Sequence, residues 1–209
     1  MKLYDLELSG NCYKVRLFAA LAQIPLDITA VDFVDGAHRR SPLIELSPWG
    51  EIPILVDGKV VLRDAQAILV YLATKYAGDT WLPRDAAGMA EVMQWLSTAA
   101  NEVQNGPAAA RLVDKFGYTV GKADMDKFGY AIDKADTLKR SSRILPKIEA
   151  HLASHSWLAL GRPTIADCAV FPFVALAHEG GVSLSDYPNI RQWLGRVKAL
   201  PNFLAMPGV

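Results

Sequence analysis

Hydrophobic positions at the start of the chain follow two periods in turn. A short apolar run at Leu3, Leu6 and Leu8 is typical of a buried strand. From Val15 to Ala22 the apolar residues recur every three or four positions, which predicts an amphipathic helix that stops before Pro25. A β-branched run at residues 28–33 then predicts a second strand. The chain therefore begins as strand, helix, strand.

The clearest local signal is a pair of apolar runs, residues 54–56 and 60–62, with Asp57-Gly58 between them. Because both turn residues tolerate positive φ, this pattern predicts a tight β-hairpin. Asp64 can then cap a helix whose apolar face runs from Ala65 to Leu72. With a short helical piece near residues 43–46, the predicted order is β-α-β-α-β-β-α. That order is the thioredoxin-like arrangement.

The composition changes between residues 78 and 88, where Gly, Asp, Pro and Ala indicate a linker. Beyond it the pattern predicts only helices, at about residues 89–113, 124–153, 165–177 and 188–200. Thr164 and Asp167 form a capping-box sequence at the start of the third helix. We therefore predict two domains: a thioredoxin-like N-terminal domain over residues 1–78 and an all-helical C-terminal bundle over residues 86–209.

A five-residue sequence occurs twice in the second half. The segment DKFGY at residues 114–118 recurs at residues 126–130. Repeat architectures need longer units and at least three copies, so we interpret the duplicate as a variable connection between two helices.

Composition narrows the class of protein. The 209 residues are 51% hydrophobic, enough for a sizeable core, and 22 basic side chains balance 22 acidic ones. No basic half suggests a nucleic-acid partner, and no apolar run is long enough for a membrane span. Cys12 and Cys168 are the only cysteines, which suits a reducing compartment, and they lack metal-ligand spacing. With no secretory signal visible, we expect a cytoplasmic protein without a metal.

Five stretches, in order along the chain, resemble motifs of the glutathione S-transferase family. SGNCYKVR at residues 9–16 is similar to the catalytic loop and first helix of bacterial-type members with a serine-type active site. The others are SPWGEIP at 47–53, LRDAQAILVYL at 62–72, GRPTIAD at 161–167 and YPNIRQWL at 187–194. The resemblance implies glutathione as co-substrate, a small electrophilic substrate, a role in detoxification, and a homodimer in which first-half surfaces face second-half surfaces of the partner.

Conjugation requires the glutathione thiol as thiolate, which a hydroxyl donor and a helix N-terminus both favour. Ser9, just before the first predicted helix, fits the hydroxyl donor, and the amide of Asn11 is its rival. Either residue could instead only cap the helix. Cys12 in the first turn could support thiol–disulfide chemistry, but the resemblance implies that it packs inward.

Glutathione itself would bind along two stretches. The resemblance implies a cis bond before Pro53 and pairing of the Ile52 backbone with the cysteinyl part of glutathione, beside Glu51. Asp64, Ala65 and Gln66 lie where the family holds the γ-glutamyl end.

Ala65 stands where the family usually has Ser. We expect this loss of one hydroxyl to weaken glutathione binding by roughly 0.5–1.5 kcal/mol, and the amide of Gln66 could partly replace it.

His38 lies where some serine-type relatives place a histidine near the glycyl carboxylate, and Arg39 and Arg40 could act there electrostatically. A solvated loop explains all three residues equally well.

The predicted function is conjugation of the glutathione thiolate to a small hydrophobic electrophile. Two alternatives stay open: a glutathione-transferase-like binding or interaction protein with weak or no turnover, and a glutathione-dependent disulfide or peroxide reductase. Ala65 favours the binding protein, whereas Ser9, Asn11, Pro53 and Asp64 favour the enzyme.

Overall fold

A computed structural model describes residues 1–118 and 132–209. Its four-stranded sheet comes entirely from the N-terminal part: β1 (Lys2–Asp5), β2 (Asp27–Ala30), β3 (Ile54–Asp57) and β4 (Val60–Arg63). The strand order is β2-β1-β3-β4, with β1 parallel to β2 and β3 antiparallel to both β1 and β4. Helices α1 (Gly10–Leu21), α2 (Leu43–Leu46) and α3 (Ala65–Leu72) complete this part. The predicted β-α-β-α-β-β-α order is confirmed.

The hairpin forms as predicted, but its turn is shifted by one residue. Asp57 pairs with Val60, so the loop is Gly58-Lys59, and only Gly58 has a positive φ, of 60°. Asp57 is thus the last residue of the strand, and its carboxylate accepts hydrogen bonds from Tyr71, 2.8 Å away, and from Lys75, 2.7 Å away. The opening strand is also shorter than its apolar run, since Leu6 and Leu8 belong to the turn before α1.

The rest of the described chain is helical. It contains α4 (Ala86–Thr98), α5 (Ala109–Phe116), α6 (Lys134–Leu152), α7 (Ile165–Ala175) and α8 (Pro188–Lys198). Shorter 3-10 helices span Ala37–Arg39, Gly78–Thr80 and Ala177–Gly180, and π-helical segments span Ala73–Ala77 and Ala99–Ala108. This helical C-terminal region confirms the predicted fold class. The residues 124–131 of one predicted helix, and the second DKFGY copy, lie outside the described residues.

The single helix predicted for residues 89–113 is wrong in detail. The chain passes instead from α4 through the π-helical segment to α5, with non-helical backbone at Gly106 (φ −98°, ψ −105°) followed by Pro107. Proline has no N–H for the helical ladder and glycine adopts this backbone readily, so the helix breaks here.

Helix α7 lies at the centre of the molecule and is almost entirely buried. Its predicted capping box is present: Asp167 Oδ2 accepts from the Thr164 N–H at 2.9 Å, and Thr164 Oγ1 accepts from the Ala166 N–H at 3.2 Å. Apolar side chains of α1, α3 and α7 share one core. Helix α1 therefore packs against both α3 and the central helix α7. Among the described helices, none combines the length and apolarity that crossing a membrane requires.

Candidate active site

Ser9 is the N-cap of α1. Its backbone is extended (φ −76°, ψ 122°), its N–H donates to Leu6 O at 2.9 Å, and its Oγ accepts from the Cys12 N–H at 3.3 Å. Ser9 therefore does cap α1, as one of its two interpretations predicted. Accepting this bond occupies only a lone pair of the oxygen, so the hydroxyl proton is still able to donate to a ligand at the helix N-terminus.

Asn11 lies in the first turn of α1 and is bound by a lysine of its own helix. Lys14 Nζ donates to Asn11 Oδ1 at 2.9 Å. An ammonium group can only donate, so the amide turns its oxygen towards Lys14. No described residue accepts from the Asn11 NH2 group.

Lys14 itself is completely buried. Its Nζ lies 4.6 Å from the centroid of the Phe173 ring of α7, a cation–π contact. Burial lowers the pKa of Lys14 to about 7, and the nearby carboxylate of Asp64 opposes that shift. Lys14 is not among the predicted site residues, although Lys14, Leu17, Phe18 and Leu21 follow the three- and four-residue spacing of a buried helix face.

Cys12 is a buried free thiol. Its Sγ accepts from the Leu6 N–H at 3.4 Å, and burial together with Asp5 raises its pKa to about 12. Thiol–disulfide chemistry needs an accessible thiolate. The expectation that Cys12 packs inward is confirmed, and a redox role for this residue is disfavoured.

Two arginine side chains donate hydrogen bonds to backbone carbonyl groups of the loop before Ser9. Arg16 Nη2 donates to Glu7 O at 2.6 Å, and Arg111 Nη1, from α5, donates to Leu8 O at 2.9 Å. Arg111 is buried and also pairs with Glu179, Nε to Oε2 at 2.5 Å. The helical region therefore fixes the peptide next to Ser9. No pattern in the sequence indicated this role for Arg111.

The peptide bond between Ile52 and Pro53 is cis, as the resemblance implied. Ile52 precedes β3, and neither its N–H nor its C=O bonds to another described residue. Glu51 is exposed and lies 3.6 Å from Arg63 (Oε2 to Nη1), whose guanidinium stacks 3.2 Å from the Trp49 ring centroid. A second cis bond, Ser41–Pro42, was not anticipated.

The N-terminus of α3 begins at Asp64, which has a positive φ of 76° and caps the helix by accepting from the Ala67 N–H at 2.9 Å. The first N–H groups of a helix have no acceptor within it. Those of Ala65 and Gln66 consequently remain available, while the Ala65 methyl is buried and the Gln66 side chain is half-buried.

His38 is not part of a solvated loop. Its ring is buried and stacks on Phe33, with centroids 3.9 Å apart, and its Nδ1 has no partner among the described residues. Burial, and then the charge of Arg39, lowers the pKa of His38, which favours the neutral ring. Arg39 and Arg40 are exposed, and Arg40 pairs with Asp35.

The structure thus brings together two of the predicted stretches, because α1, which carries Asn11 and Lys14 beside Ser9, packs against α3, which begins after Asp64. No contact links His38 to them among the described residues. Nor does any described set of three or more His, Cys, Asp or Glu side chains form a group that could hold a metal ion. A surface cleft lined by Trp81, Arg162 and Asn202 contains none of the predicted site residues.

Comparison with known proteins identifies the family to which this chain belongs. Residues 8–75 match the model of the glutathione S-transferase N-terminal domain, and residues 132–196 match that of the C-terminal domain. Glutathione S-transferase 3 of Zea mays is 32% identical, over 97% of this chain and 91% of that protein.

Solved structures agree with this result. A possible glutathione S-transferase from Rhodopseudomonas palustris is 30% identical with a TM-score of 0.84, covering 98% of this chain and 97% of that one. A glutathione S-transferase from Pseudomonas fluorescens is 28% identical with a TM-score of 0.86, covering 99% and 98%. The chain belongs to the glutathione S-transferase family, and it is an enzyme of that family, whose members use glutathione as co-substrate.

Proposed function

We propose that the enzyme conjugates glutathione to a small hydrophobic electrophile at the N-terminus of α1. The observation that carries this proposal is the presence of two side-chain donors there, the Ser9 hydroxyl and the Asn11 NH2 group. A free thiol with a pKa near 8.5 is only a few per cent ionised at neutral pH. Two donors and the positive end of the helix all stabilise the anion and so increase the thiolate fraction.

Ser9 is the first donor in this proposal and Asn11 the second. The Ser9 oxygen is fixed by the Cys12 N–H, and rotation about the C–O bond can direct its proton towards a ligand. Asn11 is fixed by Lys14 in the same manner. The two residues can therefore act together on one sulfur. Their hydrogen bonds are compatible with either residue as the donor, the alternative that the sequence left open.

The rest of glutathione would bind along β3 and α3. The free N–H and C=O of Ile52, before Pro53 and beside Glu51, can pair with the cysteinyl peptide as an added strand does. The free N–H groups of Ala65 and Gln66 suit the γ-glutamyl carboxylate, and the exposed Asp64 suits its ammonium group. His38, whose Nδ1 has no partner among the described residues, would contact the glycyl carboxylate through a hydrogen bond.

The proposal also includes the domain boundaries, the oligomeric state and the cellular setting. The domain boundaries are residues 1–78 and 86–209. The enzyme is a homodimer, which exposed apolar side chains in both halves support: Trp49 and Val61 in the first, Met89 and Met93 in the second. It works in the cytoplasm in detoxification, consistent with its two free cysteines. Light scattering at micromolar protein concentration tests the dimer, and a purely monomeric result would overturn it.

Retention on immobilised glutathione, followed by conjugation of a chloronitrobenzene, tests the function. We expect retention, elution by free glutathione and enzyme-dependent product formation. Retention without product would favour the binding protein without turnover, and reduction of a glutathione mixed disulfide without conjugation would favour the reductase. Failure to bind at millimolar glutathione would rule out the proposal.

A further inference from the structure

Lys14 is a charged group in an unusual place. It lies in the first helix of the sheet domain, has no exposed surface, and contacts an amide oxygen on one side and an aromatic ring of α7 on another. Burying an ammonium without a directly bonded carboxylate is costly, and the fold would be more stable with an apolar side chain there. A role outside stability would explain why this position carries a lysine.

The hydrogen bond to Asn11 indicates what that role is. An unrestrained Asn side chain can present either its oxygen or its NH2 group to a ligand, since the two ends of the amide have similar shapes. Protonated Lys14 can only donate, so it bonds the amide only when the Asn11 oxygen faces inward. The NH2 group then necessarily points away from Lys14, on the side of α1 where no described residue accepts from it.

We propose that Lys14 is a positioning residue for thiolate stabilisation: its buried amino group holds the Asn11 amide with the oxygen inward, so that the NH2 group donates to the glutathione sulfur. This inference rests on the proposed function, because it places the sulfur at the start of α1. Lys14 never touches the ligand and acts through Asn11. The uncharged ring of Phe173 on α7 contacts its amino group, and Asp64 at the start of α3 acts on it through its charge without forming a salt bridge.

A double-mutant cycle on Asn11 and Lys14 tests the proposal, with the ultraviolet absorbance of bound thiolate giving the thiol pKa. Asn11→Ala and Lys14→Met should each raise that pKa by about one unit, about tenfold less thiolate at neutral pH. The double variant should raise it no further than either change alone. Additive shifts, or no shift with Lys14→Met, would overturn the proposal. Val15→Ala, a buried change in the same helix, controls for general destabilisation.

Asn11→Asp provides a second, sharper variant. It keeps an oxygen facing Lys14 but replaces the outward NH2 group with another oxygen, so it removes the donor while leaving the lysine paired. We expect the same or a larger rise in the thiol pKa, with no loss of thermal stability. An unchanged thiol pKa in this variant would show that the Asn11 amide does not face the sulfur.

Nuclear magnetic resonance of the ligand-free protein separates this inference from the proposed function. If Lys14 holds the amide, the side-chain NH2 resonances of Asn11 should move in Lys14→Met and stay in place in Val15→Ala. If they do not move, the positioning role fails whatever glutathione does. If they move but the wild-type protein does not bind glutathione, the hydrogen bond stands and the proposed function is what has failed.

Discussion

The ring of Phe173, on the central helix α7, occupies the space beside Gly10 at the start of α1. A Cβ atom built on Gly10 would lie 2.2 Å from Phe173 Cε1, much closer than two carbon atoms can approach. The same ring faces Lys14 from 4.6 Å. The residue between Ser9 and Asn11 therefore has to be glycine for a steric reason, since its backbone conformation is helical and its φ is not positive.

Gly10→Ala should consequently damage both stability and activity. Forcing one extra methyl into this contact costs about 1–3 kcal/mol, and a displaced α1 start would lower kcat/KM by up to about 100-fold. Urea unfolding and steady-state kinetics measure the two effects. The matched control is Gly195→Ala in α8, where a Cβ meets nothing within 4 Å. That change should stabilise the protein by about 0.5–1 kcal/mol. Equal effects of both changes would contradict the steric explanation.

Ser9→Ala and Cys12→Ala should have opposite consequences. Removing the Ser9 hydroxyl takes away a hydrogen bond to a charged sulfur, so the pKa of the bound thiol should rise by about 1–2 units and conjugation at neutral pH should fall by about 10–100-fold. Cys12→Ala should leave the rate unchanged and cost about 1 kcal/mol of stability, because the Leu6 N–H loses its acceptor. Loss of activity in Cys12→Ala with retention in Ser9→Ala would favour thiol–disulfide chemistry instead.

Ala65→Ser should strengthen glutathione binding. The new hydroxyl would join the free N–H groups at the start of α3, and one added hydrogen bond of about 0.5–1.5 kcal/mol lowers KM for glutathione by about 2–10-fold with kcat little changed. Ala67→Ser is the control, because Ala67 is exposed and its N–H is already taken by Asp64. The γ-glutamyl site would have to lie elsewhere if both serine variants had the same KM as the parent.

Asp167→Asn should be strongly destabilising. The buried carboxylate accepts from the Leu158 N–H at 3.2 Å, the Thr164 N–H at 2.9 Å and the Trp193 Nε1–H at 2.9 Å. An Asn side chain would turn an NH2 group towards one of these donors, at a cost of about 2–4 kcal/mol. Thermal unfolding should show the loss.

Asp85→Asn provides the comparison for this change. Asp85 is an exposed N-cap of α4, and Asn caps a helix about equally well, so stability should change by less than about 0.5 kcal/mol. A mild effect at Asp167 as well would mean that the hydrogen bonds it accepts from these three N–H groups are not important for stability.

How far the sequence predicts this molecule depends on how local each signal is. The capping box at Thr164 and the hairpin around Gly58 involve neighbours within a few residues, and both are present in the structure. The helical spacing of Lys14 indicates a buried position, but its contact with Phe173, far along the chain, could not be predicted in that way. Likewise, nothing near Arg111 in sequence indicates that it donates to the carbonyl of Leu8. Local patterns predict the elements, whereas the contacts that arrange the site come from packing between the two halves.

The buried position of Lys14 also predicts how stability depends on pH. Burial lowers its pKa to about 7 in the folded protein, whereas the unfolded chain keeps the ordinary value of 10.5. Between these values the unfolded state binds more protons, so this group makes the free energy of unfolding rise with pH from about 7 to about 10. The full shift corresponds to about 5 kcal/mol, which is an upper bound for the gain.

Lys14→Met removes the group, so the variant should be more stable than the parent at pH 7, and the difference should shrink by pH 10. Urea unfolding of both proteins at several pH values measures that difference, and every other titrating group is common to the two. Parallel pH profiles would mean that Lys14 keeps its ordinary pKa and is reached by water.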